Sequence, residues 1–120
     1  MKRIIHVDNS EFFRKIMATF LSAEGFEVES FDNAQEANFS IGAGSGDMVI
    51  TGLTFSDIEG QEFLSKAVSS FSGPVIVVSA SVDDNNKDKL LSLGARAAIN
   101  KTGNDWKDLL KPHLSALKKT

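Results

Sequence analysis

The stretch PVIVVSA, residues 74–80, is the most apolar in the chain. It shows no alternation of apolar and polar residues. A strand of that kind has no solvent face, so it calls for a sheet covered on both sides. The flanking segments supply the cover. GQEFLSKAVSSF (60–71) places Phe63, Leu64, Ala67, Val68 and Phe71 at helical spacing, and DDNNKDKLLSLG (83–94) reads as a helix closed by Gly94. Beyond these helices lie two more strands, DMVITGL (47–53) and ARAAIN (95–100).

The pattern continues towards both ends. RIIHVD (3–8) is a short strand. SEFFRKIMATFLSAEG (10–25) is a helix with Ser10 as N-cap and a stripe of Phe12, Phe13, Ile16, Met17, Phe20 and Leu21. Adjacent Phe12 and Phe13 cannot both face a core fully, so one of them is a candidate partner contact. Gly25 sits where a helix end wants a left-handed residue. FEVESF (26–31) alternates at period two, with Phe26 and Val28 on one face, and NAQEANFSI (33–41) is a weak helix ending at Gly42. NDWKDLLKPHLSALKK (104–119) is a last helix with a stripe of Trp106, Leu109, Leu110, Leu114 and Leu117. Pro112 is expected to kink or break it. The Gly/Ser-rich GAGSGD (42–47) is the most flexible-looking stretch, and no repeat or long linker appears.

Five βα units result. Right-handed crossovers make them an α/β fold, a (βα)5 doubly wound five-stranded parallel sheet with helices on both faces. In such sheets the functional crevice lies at the carboxyl ends of the strands. That rule selects Asp8, Asn9, Gly52, Leu53, Thr54, Ser79, Ala80 and Lys101.

Composition limits the function. The 120 residues suit one domain, 1–120, with one core. The net charge of −3 argues against a nucleic-acid partner. The basic pair Lys118-Lys119 reads as a solvated helix end. The absence of cysteine excludes disulfides, thiolate chemistry and Cys-ligated zinc. MKRIIHVDNS has too short an apolar run for a signal peptide, and no segment approaches a membrane span, so a cytoplasmic protein is expected.

Four motifs, HVDNSEFFR, DMVITGLTFSDIEG, PVIVVSAS and LGARAAINK, occur in the order and spacing of a known family. The chain resembles the receiver domain of two-component response regulators, the flavodoxin-like fold of the chemotaxis regulator, over nearly its whole length. The resemblance implies a set of roles. Two acids after the first strand hold magnesium, and these positions are Asp8 and Asn9. An aspartate ending the third strand accepts a phosphoryl group, and that position is Gly52. A hydroxyl ending the fourth strand, here Ser79, and a lysine ending the fifth, here Lys101, bond the phosphoryl oxygens. The aromatic that swings inward three residues before the lysine is replaced by Ala98. The proline usual after the lysine is replaced by Thr102. The Met-Pro usual in the loop after the acceptor is replaced by Phe55-Ser56.

These departures touch one mechanism. An aspartyl phosphate needs a carboxylate nucleophile, and Gly52 has no side chain. Magnesium wants hard oxygen ligands, and only Asp8 is a carboxylate, so no metal or other cofactor is expected beyond weak binding through Asp8 and Asn9. Asp8 should instead pair with Lys101. The chain therefore reads as a pseudo-receiver, a phosphorylation-independent protein–protein interaction module of two-component-type signalling. A protein partner or dimer mate is expected at the fourth helix, fifth strand and fifth helix, near Lys87, Arg96, Ala98 and Trp106. Two alternatives are a phosphorelay receiver with a displaced acceptor and a small-molecule binder using the vacated crevice. No nucleophile–base pair suggests an enzyme.

Other residues have plainer readings. Thr54 is a loop hydroxyl with the parity of position 52. His6 is expected to be packed and hydrogen-bonded. Asp57, Glu59, Asp83 and Asp84 are loop acids and helix caps, any of which has the chemistry to lend a carboxylate to a rebuilt metal site.

Overall fold

A computed structural model describes residues 1–120. The elements run β1 (Arg3–Val7), α1 (Glu11–Ala23), β2 (Glu27–Phe31), α2 (Ala34–Gly42), β3 (Met48–Thr51), α3 (Gly60–Ser70), β4 (Val75–Ser79), α4 (Lys87–Ser92), β5 (Ala97–Asn100) and α5 (Trp106–Lys118). The five strands form one parallel sheet in the order β2-β1-β3-β4-β5. The chain leaves β1 towards one edge and returns to build the other. The carboxyl ends of β1 and β3 therefore flank the switch point.

Strand parity divides the core. Ile5, Val7, Val49, Val75 and Val77 pack with Ile41, Phe63, Leu64 and Leu90 on the side of α2, α3 and α4. Ile4, Met48, Ile50, Ile76 and Val78 pack with Met17, Leu21, Leu110 and Leu114 under α1 and α5. All five residues of β4 are buried, as its unbroken apolar run requires. Each such aliphatic side chain stabilises the fold by about 1.5–3 kcal/mol.

The helix ends follow local chemistry. Ser10 Oγ accepts the Phe13 amide, Asn33 Oδ1 accepts the Glu36 amide, and the Glu59 carboxylate accepts the amides of Gln61 and Glu62. Gly25 and Gly94 both adopt positive φ after their helices. Gly60 opens α3 directly over Leu53, and a Cβ there would stand 2.1 Å from the Leu53 carbonyl oxygen. The β3–α3 loop can close only over a glycine.

Several expectations change. Pro112 neither ends nor divides α5, which is a single helix of 13 residues. The proline leaves the Asp108 carbonyl without its usual i+4 donor. Leu109 is 49% exposed and does not belong to the buried stripe of Trp106, Leu110, Leu114 and Leu117. The expectation that only one of the adjacent phenylalanines faces the core holds: Phe12 is 75% exposed while Phe13 is buried. Helix α4 starts late because Asp83 and Asn86 form a turn: Asp83 Oδ1 accepts the amides of Asn85 and Asn86, and Asn86 Oδ1 accepts that of Asp83. No helix is long and apolar enough to cross a membrane.

Candidate functional site

The strand ends enclose a cleft of about 340 Å³. It is lined by Asp8, Asn9, Gly52, Leu53, Thr54, Ser79, Ala80 and Lys101, together with Ser81. All eight residues selected by the strand-end rule meet there.

Asp8 is the only carboxylate lining it. Its side chain is buried, and both oxygens are engaged: Oδ1 accepts the Ser10 amide at 2.8 Å, and Oδ2 accepts from Lys101 Nζ at 3.0 Å. The ion pair compensates two charges that would be costly to bury singly. The Asp8 backbone is fixed as well. Its carbonyl accepts from Arg14 Nη1 at 2.6 Å, and its amide donates to the Phe31 carbonyl at 3.0 Å.

Gly52 lies against this pair. Its amide donates to the Val7 carbonyl at 2.8 Å, and its carbonyl accepts from Thr51 Oγ1 at 2.8 Å. A Cβ at position 52 would stand 3.1 Å from Asp8 Oδ2. The Asp8 carboxylate therefore leans into the space that a side chain at 52 would need.

On the other side of the cleft, Ser79 Oγ lies 3.0 Å from Ser81 Oγ and accepts the Ser81 amide at 3.2 Å. Asn100 ties the loop after β4 to the end of β5. Its Nδ2 donates to the carbonyls of Ala80 and Val82, and its Oδ1 accepts from the amide and hydroxyl of Thr102. Lys101 Nζ also sits 4.3 Å from the centre of the Phe13 ring, which meets Trp106 edge-on at 5.1 Å. The cleft is thus linked by contact to the chain's one indole.

A model of the response regulator receiver domain matches residues 4–111. The chain belongs to the response regulator receiver domain family. Among solved structures, the CheY-like receiver domain protein of Methanospirillum hungatei is 29% identical to it, with a TM-score of 0.86 over 99% of this chain and 95% of that one. A two-component response regulator from Clostridium difficile is 18% identical, with a TM-score of 0.87 over 99% and 97%. The regulatory protein VanRc of Enterococcus gallinarum is 29% identical over 103 residues. That match takes in 86% of this receiver chain and 45% of VanRc, so the chain spans under half the length of that relative.

The receiver's remaining expected residues are spread over different tasks. Asn9 and Thr54 are exposed at the cleft rim, and Ala98 is buried on β5. Asp57 bonds the amides of Ala34 and Gln35, joining the β3–α3 loop to α2. Slight burial acts upward on its pKa, but donation from the Gln35 and Ala34 amides outweighs it and the carboxyl lies below its ordinary value. Glu59 is occupied as a helix cap and Asp83 in the turn before α4, and no three His, Asp or Glu side chains converge on one point.

His6 is packed as expected but not hydrogen-bonded: it is fully buried, and neither ring nitrogen has a hydrogen-bond partner. Burial lowers its pKa to about 4; Asp8 pulls upward, while Lys101 and Arg14 add to the lowering.

Ser81, Arg14, Asn100 and Phe13 are site residues that the strand-end rule passed over. Ser81 shares the parity of Ser79, and Arg14 lies one helical turn past Ser10. Both signals are visible once the strand end is fixed.

Proposed function

We propose that this receiver is a pseudo-receiver, a protein–protein interaction module of two-component-type signalling whose output does not pass through an aspartyl phosphate. The observation that carries this reading is Gly52 at the acceptor position, with the Asp8 carboxylate leaning over it and paired to Lys101. No carboxylate is available there to attack a phosphoryl donor. Thr54, the nearest hydroxyl with the right parity, cannot form an acyl phosphate.

The donor set also does not suit magnesium. That ion requires near-octahedral oxygen ligation, usually with one or two carboxylates free to bind it. Asp8 already accepts from Lys101 and Ser10, and Asn9 is neutral. We therefore assign no metal, no cofactor and no enzymatic activity to the cleft.

The partner face we favour is formed by α4, β5 and α5. Ala98 carries no ring, and a groove of about 280 Å³ opens beside it. Leu91 and Leu109 are exposed on its walls, and Lys87, Arg96 and His113 border it. An apolar side chain from an acidic partner surface suits that lining.

Incubation with acetyl phosphate and magnesium, followed by intact-mass spectrometry, tests the reading. The expected spectrum shows no added phosphoryl group. A stoichiometric adduct that is labile to hydroxylamine would establish an acyl phosphate and end the proposal.

A further inference from the structure

We propose that the groove between β2 and α2 docks an extended segment of a partner protein in which basic and apolar residues alternate. This site lies at the sheet edge opposite the α4–β5–α5 face and does not depend on how the cleft functions.

Three independent observations meet there. The first is an open strand edge. β2 pairs only with β1. The Glu27 amide donates to the Lys2 carbonyl, and the Phe31 carbonyl accepts from the Asp8 amide. Residues 27, 29 and 31 therefore turn their backbone groups towards β1, and Val28 and Ser30 turn theirs outward. The second is an apolar groove of about 420 Å³ beside that edge. Its walls include Phe31 and Phe39, and the Phe39 ring is 84% exposed on α2.

The third is charge. Glu29 and Glu36 line the groove, and neither takes part in an ion pair. One Glu29 oxygen accepts from Ser40 Oγ, and that hydroxyl lies 2.7 Å from Ser45 Oγ, which fixes the carboxylate at the groove. The surroundings share the sign. None of the chain's 13 Lys and Arg falls between residues 16 and 65, a stretch holding nine of its 16 Asp and Glu. Arg3 offsets Glu27 on β2, but Glu29 and Glu36 stay unpaired, so the groove itself presents negative charge, which favours cationic segments.

The occupant follows from this geometry. A strand added to β2 would bond the outward groups of Val28 and Ser30. Its side chains on the α2 face would meet Glu29, Glu36 and the Phe39 ring, where a guanidinium bonds carboxylate and stacks on the aromatic. Its side chains on the other face would meet Val28, which favours apolar residues.

The test titrates the amidated peptide acetyl-Arg-Val-Arg-Val-Arg into the isotope-labelled chain and follows amide shifts by NMR. Saturable shifts are expected at Val28, Ser30, Phe31, Phe39 and Ser45. Raising the salt should weaken the affinity about tenfold. The Glu29→Gln/Glu36→Gln double variant and Phe39→Ser should each show a similar loss while the rest of the spectrum stays unchanged. The proposal fails if no shifts saturate, if they map elsewhere, or if the variants bind as tightly as the parent. It also fails if the matching Glu-Val-Glu-Val-Glu peptide shifts the same amides equally. Concentration-dependent shifts at these residues without peptide would assign the groove to a second copy of this chain and overturn the partner assignment.

Discussion

Position 52 sets the chemistry of the cleft, and its neighbours set the consequences of changing it. Gly52→Asp alone would place a second carboxylate beside Asp8, with its Cβ already 3.1 Å from Asp8 Oδ2. Like charges at that spacing compete for Lys101, so a loss of about 1–2 kcal/mol in denaturant unfolding is expected. The single variant should bind beryllofluoride weakly at most, because Asp8 stays paired with Lys101 and Asn9 is neutral. The Asn9→Asp/Gly52→Asp double variant rebuilds three carboxylates beside Ser79 and Lys101. Magnesium-dependent beryllofluoride binding should appear in it and not in the parent. His6 makes a separate prediction. Its folded pKa of about 4 lies below the unfolded 6.5. The unfolded chain therefore takes up a proton first as pH falls. The contribution is complete above about pH 6.5 and is lost progressively down to about pH 4, by roughly 3 kcal/mol. His6→Met should flatten that dependence in urea melts and stabilise the chain at pH 7, since it removes a buried imidazole with no hydrogen bond. A melt of the parent that is flat across this window would contradict the burial argument.

At the scale of elements, two substitutions separate backbone needs from side-chain packing. Gly60→Ala brings a Cβ to 2.1 Å from the Leu53 carbonyl, so α3 must shift or the loop must open. Thermal unfolding should show a loss of about 3 kcal/mol or more. Pro112→Ala restores an amide donor inside α5 and should stabilise by about 1–3 kcal/mol. These cases also mark what sequence alone made legible. Apolar runs and helical stripes located all ten elements. The strand-end rule found eight of nine cleft residues, because the carboxyl ends of parallel strands are fixed by topology. Leu109 escaped because a wide apolar stripe does not say which of its edges reaches the sheet. The late start of α4 and the Asn100 clamp escaped because they depend on side chains closing turns across loops. The bare imidazole of His6 escaped because period and composition carry no information about missing partners.

Across the whole molecule, the sheet separates two edges of opposite character, with the cleft between them at its carboxyl end. An ordinary receiver couples its cleft to a distant face through a moving hydroxyl and ring. Here Ser79 is held by Ser81, and Ala98 has no ring to move. On the proposed function, the cleft does not accept a phosphoryl group. Trp106 reports on it directly, because the indole touches Phe13, and Phe13 lies against the Lys101 ammonium that pairs with Asp8. Titrating beryllofluoride in the presence of magnesium while following Trp106 fluorescence is the most direct measurement. No saturable change is expected at any magnesium concentration; a saturable, magnesium-dependent change that is abolished by Asp8→Asn would contradict the pseudo-receiver reading.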